Sequence, residues 1–348
     1  MTKSKALRDK EQIVLMKIVE QYLFSGAPVS SGCVSKMTKA PMPSATVRYI
    51  MAKLEDKGLL QQIHSSSGRI PTDSGLRFYV NNLFSEVVTS GRSFDFPGGD
   101  FSLQGEDFGS LLNKVSELLS EHSDNLGFVL SPRLSRLYFK HIRFIKIADQ
   151  KVMVILITTF NVVLTDITES RAYFTQVELD RASQFMNENF RGKNLLFVRD
   201  YLIKEVPKYH AEYEKSINKL ILLLRSYIFQ EDDNNKIFLK GTSRLLEKPD
   251  LFDMDRLKHL FQNFEEKAKL AKLLSDFISL DKVKVLIGSE LDMPSVSECA
   301  LILSHYGDEN QVLGSLGIIG PKRISYKKII PLVDYVAKKL SQKISHSH

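Results

Sequence analysis

Apolar residues recur at helical spacing three times in the first 60 positions, and glycine or proline stops each run. In residues 8–24, Leu15, Ile18, Val19 and Tyr22 share one face, widened by Met16 and Leu23, which is the pattern of an amphipathic helix. Gly26 and Pro28 end it. A short second helix is predicted from Ser30 or Ser31, burying Val34 and Met37, because a serine hydroxyl there accepts a bond from a free N–H of the first turn. Pro41 and Pro43 interrupt. Ser44 is the expected N-cap of a third helix, in which Val47, Ile50, Met51 and Leu54 face inward and Gly58 closes the run. The period then changes to two. Residues 59–64 predict a strand, Ser65, Ser66, Ser67 and Gly68 a turn, and Arg69 and Ile70 a return strand that Pro71 terminates. Residues 72–88 predict a helix capped by Thr72 or Asp73.

Residues 89–109, rich in Gly and Ser with one Pro, predict a linker. A helix at 111–119 precedes three alternating segments, 138–148, 151–159 and 162–168. His141, Arg143 and Lys146 interleave with Ile142, Phe144 and Ile145, and Asp149 and Gln150 join the first two segments, so an antiparallel sheet with one covered face is expected. Residues 178–190, 195–204, 209–229 and 254–277 predict helices, with a short strand at 236–239 among them. Strands return at 282–287, 299–306 and 314–319 before a final helix, 326–340. The simplest organisation is α+β: a sheet domain interrupted by the mainly helical residues 177–279.

A chain of 348 residues has room for two or three domains, and 43% hydrophobic with 26% charged residues is the make-up of a globular protein. Cys33 and Cys299 stand far apart with no CxxC, which argues against a disulfide framework or a structural zinc and fits a reducing, cytoplasmic setting. No apolar run approaches the ~20 residues that span a bilayer, so no membrane partner is expected. GxSxG, HExxH and P-loop motifs are absent and the eight histidines are scattered, so no catalytic residue, metal or cofactor is expected. Glu231, Asp232 and Asp233 form an acidic loop tip, better explained by solvation than by a cation. Gly320 and Pro321 with Lys322 and Arg323 make a tight basic turn, structural in its glycine and proline, with a partner contact left open for the charges.

Charge singles out the beginning of the chain. Residues 1–84 carry 12 Lys and Arg against 6 Asp and Glu, nearly all of the chain's net +7. With the third helix's stripe turned inward, Thr46, Arg48, Tyr49 and Lys53 face out, as a helix lying in a DNA major groove requires. Arginine can fork onto a guanine edge; lysine neutralises phosphate. The candidate DNA-contacting residues are therefore Ser44, Thr46, Arg48, Tyr49 and Lys53 on the helix and His64, Ser65, Ser66, Ser67, Gly68 and Arg69 on the hairpin. One such helix reads only a few base pairs, so a homodimer on an inverted repeat of double-stranded DNA is expected. The leucine-rich residues 217–224 fit its interface or the core of the interrupting segment equally well.

Residues 43–80, PSATVRYIMAKLEDKGLLQQIHSSSGRIPTDSGLRFYV, and residues 314–340, GSLGIIGPKRISYKKIIPLVDYVAKKL, resemble the two diagnostic blocks of HrcA, the bacterial heat-inducible transcription repressor family. Tyr49 stands where the family has an asparagine after the arginine, and Gly32 and Cys33 stand where it has an Arg-Thr pair. The resemblance implies a winged helix-turn-helix, then a GAF-like domain split by an inserted dimerisation domain. The corresponding division is 1–88 winged helix, 89–109 linker, 110–176 and 280–345 GAF-like, and 177–279 inserted. It also implies the CIRCE inverted repeat as operator, and the chaperonin GroEL as the partner that keeps the repressor active until heat supplies competing clients. Two other readings stay open: a metabolite-sensing regulator with a ligand in the sheet domain, and a nucleic-acid-processing enzyme.

Overall fold

The computed structural model describes residues 7–37, 42–63, 68–90, 108–132, 136–159, 162–169, 173–204, 237–246, 283–291, 297–307 and 311–345. The chain is mixed helix and sheet, α+β. The acidic tip Glu231–Asp233, the helices expected at 209–229 and 254–277 and the leucine-rich residues 217–224 lie outside the described residues, as do 91–107 of the expected linker.

Helices α1 (Asp9–Ser25), α2 (Ser31–Met37) and α3 (Ser44–Asp56) pack around Val14, Leu15, Ile18, Val19, Val34, Val47 and Leu54, all fully buried. Burying one such side chain contributes about 1.5–3 kcal/mol, so the inward stripes decide how the three helices meet. Ser30 caps α2, its Oγ accepting from the Cys33 N–H at 3.2 Å. At α3 the expectation fails by one residue: Pro43 is the flanking residue, extended at φ −53° and ψ 138°, and makes no side-chain cap. Its ring already fixes the entry angle, which leaves the Ser44 hydroxyl hydrogen-bonded to that of Ser31 at 3.0 Å.

Strands β1 (Leu60–Gln62) and β2 (Arg69–Pro71) pair antiparallel, Gln62 opposite Arg69. Val29, between α1 and α2, extends this hairpin by exchanging two 2.9 Å backbone bonds with Arg69. The approach is so close that a Cβ on Gly68 would run into the Val29 backbone. Thr72 closes the unit: its Oγ1 donates to the Gly58 carbonyl at 2.6 Å and accepts from the Gly75 N–H at 3.2 Å, starting α4 (Asp73–Ser90).

The larger sheet has five strands in the order β7-β3-β10-β9-β8: β3 (Leu126–Leu130), β7 (Ile237–Lys240), β8 (Lys284–Ile287), β9 (Cys299–Gly307) and β10 (Val312–Pro321). Every neighbouring pair is antiparallel. Helix α5 (Phe108–Ser123) and the C-terminal helix Tyr326–Ser345 pack on it. Strands β9 and β10 are buried along their whole length, which is why they read as continuous rather than alternating apolar runs.

The strands of the middle region, β4 (Phe139–Ala148), β5 (Lys151–Thr158) and β6 (Val163–Glu169), form a sheet of their own. The expectation that they share a sheet with the C-terminal strands is not met, whereas the short strand expected among helices is β7 and joins the five-stranded sheet. The alternation itself is as expected, with Ile142, Phe144, Val152, Val154 and Leu156 fully or nearly fully buried. Helix α6 (Gln176–Phe190) covers the edge strand. Asn187 Oδ1, Ser183 Oγ and Gln176 Oε1 accept from the backbone N–H groups of Ile142, Phe144 and Lys146 at 2.8, 3.1 and 2.8 Å. An edge that would otherwise offer free donors is thereby closed, and α7 (Leu195–Lys204) follows.

Candidate nucleic-acid interface

Helix α3 divides cleanly into two faces. Val47, Ile50, Met51 and Leu54 are buried, while Ser44, Thr46, Arg48 and Tyr49 are exposed and Lys53 is half-buried. Arg48 has no hydrogen-bond or ion-pair partner among the described residues, so its five guanidinium donors are available to an outside acceptor. Tyr49 is 62% exposed, unusual for so large a ring. The Lys53 ammonium sits 4.5 Å from its centroid, one helical turn on. This cation–π contact holds both side chains on the outer surface.

Of the hairpin residues, His64, Ser65, Ser66 and Ser67 lie outside the described residues, while Gly68 and Arg69 are placed at the base of β2. The Arg69 Nε donates to Glu55 Oε2 on α3 at 2.8 Å. Its side chain is 19% exposed. Arg69 thus ties the hairpin to the third helix, a role its position in the sequence did not disclose because Glu55 reads as an ordinary solvated helix residue. Lys57 likewise turns back onto α1, its ammonium 2.6 Å from Glu11 Oε2. The Lys57 hydrogen bond and then the Arg8 backbone N–H outweigh burial and hold the Glu11 carboxyl below its ordinary pKa.

The face that results presents arginine, lysine, hydroxyls and an aromatic ring, all anchored by an apolar core and by two ion pairs directed away from it. Among the described residues, no group of three or more His, Cys, Asp or Glu side chains could hold a metal ion, and no helix is long and apolar enough to cross a membrane. The Cys299 thiol is pushed up to about 12 by burial and then by Glu298, which leaves it protonated and inert at neutral pH.

This is the build of a transcription regulator. A family model described as the HrcA protein C terminal domain matches residues 109–330. The heat-inducible transcription repressor HrcA of Geobacter sulfurreducens is 34% identical over 336 residues, covering 97% of this chain and 98% of that one. That of Xylella fastidiosa strain M12 is 34% identical over 337 residues, with coverage of 97% and 96%. A solved structure described as a hypothetical protein at 2.2 Å resolution shares the fold, with a TM-score of 0.71, 21% identity and coverage of 99% and 100%. The chain belongs to the HrcA family of heat-inducible transcription repressors.

Proposed function

We propose that this chain represses heat-shock genes as a homodimer in which each copy lays α3 in a major groove of an inverted-repeat operator. The N-terminal unit is a winged helix: α1 and α2 support α3, and the β1–β2 hairpin is the wing. Arg48 contacts a base edge and Lys53 a phosphate; Ser44, Thr46 and the wing residues His64 to Gly68 contribute hydroxyls, a ring and backbone N–H groups to the flanking backbone. Arg69 serves first as the strut between wing and helix. The observation that carries this reading is Arg48, without a partner among the described residues, beside the stacked Tyr49–Lys53 pair on the exposed side of a helix whose other side is fully packed.

The remaining residues form a GAF-like sheet domain and an inserted dimerisation domain. Because, among the described residues, β4–β6 pair only with one another and α6 closes their edge, the inserted part starts before β4 rather than at residue 177. Family resemblance supplies CIRCE as the operator and GroEL as the partner that maintains the active fold, within the cytoplasm. A gel-shift titration on an inverted-repeat duplex against a scrambled duplex, with and without GroEL, tests the proposal. Selective retention of the inverted repeat, strengthened by GroEL, is expected; equal retention of both duplexes in both conditions would sink it.

A further inference from the structure

The basic turn after β10 finds its partner within the chain. Lys322 Nζ lies 2.8 Å from Asp73 Oδ1, on the first turn of α4, and 3.4 Å from Glu298 Oε2. The other Asp73 oxygen accepts from the Ser289 N–H at 3.0 Å, in the short helix Gly288–Leu291 that follows β8. Gly288 there has φ +54°, and any Cβ on it would strike the Asp73 carboxylate. One turn along α4, Arg77 forks onto Glu290: its Nε donates to Oε1 at 2.7 Å and a terminal nitrogen donates to Oε2, and that nitrogen also reaches the Val285 carbonyl at 2.6 Å. Glu290 is braced in turn by the Ile287 N–H at 2.9 Å. The Arg323 guanidinium lies across Gly26, at the end of α1. Burial works against the Lys322 ammonium, yet Asp73 and then Glu298 outweigh it and hold its pKa above the ordinary value.

These contacts join two units that sequence separates by more than two hundred residues. The forked Arg77–Glu290 pair fixes direction as well as distance, and the Lys322 bond pins a second point one turn away, so α4 can neither slide nor swivel on β8 while both hold. Helix α4 follows Thr72, whose hydroxyl is bonded to the Gly58 carbonyl just past the end of α3. The joint leaves the outer face of α3 open, since Arg48 and Tyr49 are exposed, and therefore does not work by covering it. The four joint side chains are a fifth to a third exposed, so water and salt compete with every pair and the joint can open without unfolding either unit.

We propose that the Asp73–Lys322 and Arg77–Glu290 joint is a coupling device: it sets the bearing of α3 on the sheet unit, and so sets the operator spacing that a dimer accepts. This rests on the DNA-binding, dimeric reading above, with the joint as its regulation. The test uses the full chain carrying Glu290→Ala with Lys322→Ala, which leaves net charge and the DNA-contacting unit unchanged. Binding is measured at one salt concentration on a half-site duplex and on inverted repeats whose spacer grows one base pair at a time. The wild-type chain is expected to lose about tenfold when the spacer puts the half-sites on opposite faces of the helix. The variant is expected to keep half-site affinity within about twofold while its spacer preference flattens to under about threefold. Glu290→Arg alone should flatten the preference as well, and adding Arg77→Glu should restore it. A wild-type spacer profile in the variants, or an equal loss on the half-site, overturns the proposal. Spin labels at Phe24→Cys and Lys338→Cys, in a Cys33→Ser background and diluted with unlabelled chain, read the joint without DNA. A broadened distance distribution in the double variant supports the joint and an unchanged one overturns it. Wild-type protein that binds no inverted repeat would refute the DNA reading instead, and the label distances would still decide the joint.

Discussion

Arg48 and Lys53 both lie outside the buried stripe of α3, and under the proposed reading they have different chemistry to perform. A guanidinium with free donors can match a guanine edge in two bonds, whereas an ammonium stacked on Tyr49 is a point charge near the backbone. Arg48→Ala is therefore expected to cost about 1–3 kcal/mol on the operator and much less on random duplex, while Lys53→Ala weakens both alike and lowers the salt slope by about one. Fluorescence anisotropy on the two duplexes separates these outcomes, and equal losses for Arg48→Ala would reassign it to phosphate. Glu11 offers a test of the scaffold under the same helix. Lys57 holds its carboxyl below the ordinary pKa, so the folded state binds a proton less readily than the unfolded chain. The stabilisation is then complete above the unfolded value of about 4.3 and is lost as pH falls through the lower folded value. Thermal melts of Glu11→Gln should lie below wild type at neutral pH, and the two should converge in acid.

At the level of elements, what could be foreseen was whatever local periodicity controls. The stripe Val47, Ile50, Met51, Leu54 placed Arg48 and Tyr49 outside without knowledge of any neighbour, and the alternation in β4 set Ile142 and Phe144, both buried, against the exposed His141 and Arg143, although Ile145 of the same expected set is only half-buried. Pairings between distant residues carried no such signal. That β7 would add to β3 beside the α5 unit, that β4–β6 would stand apart, and that Glu55 would take Arg69 depend on three-dimensional contacts between segments whose own patterns are ordinary. Ser44 was expected as the cap and does not act as one, because Pro43 stands at the flanking position and supplies the extended entry that a capping serine normally accompanies. The hairpin tests how much such a contact matters. Gly68 passes against the Val29 backbone, so Gly68→Ala should push β2 away and destabilise the unit by about 1–3 kcal/mol. Calorimetry reads the loss; a variant melting like wild type would show that Val29 gives way without cost.

For the whole molecule, charge distribution makes the strongest demand. Twelve Lys and Arg against six Asp and Glu in residues 1–84 leave only one unit of the net +7 to everything downstream. A near-neutral remainder adds little long-range attraction for a duplex, so the N-terminal units must supply both the steering and the phosphate contacts. Sequence-independent affinity should consequently follow counterion release. With roughly 6–10 phosphates neutralised by a dimer, binding should fall by about 10³–10⁵ between 50 and 200 mM salt. Removing residues 1–90 should abolish binding at every salt concentration while circular dichroism still reports the five-stranded sheet and its two helices. If the truncated chain held DNA with a comparable salt slope, the binding surface would have to lie on the sheet units, and the outer face of α3 would lose its assigned role. Loss of all structure on truncation would carry a different meaning: the ion pairs of Asp73 and Arg77 would then be needed to hold the sheet unit together as well as to orient α3.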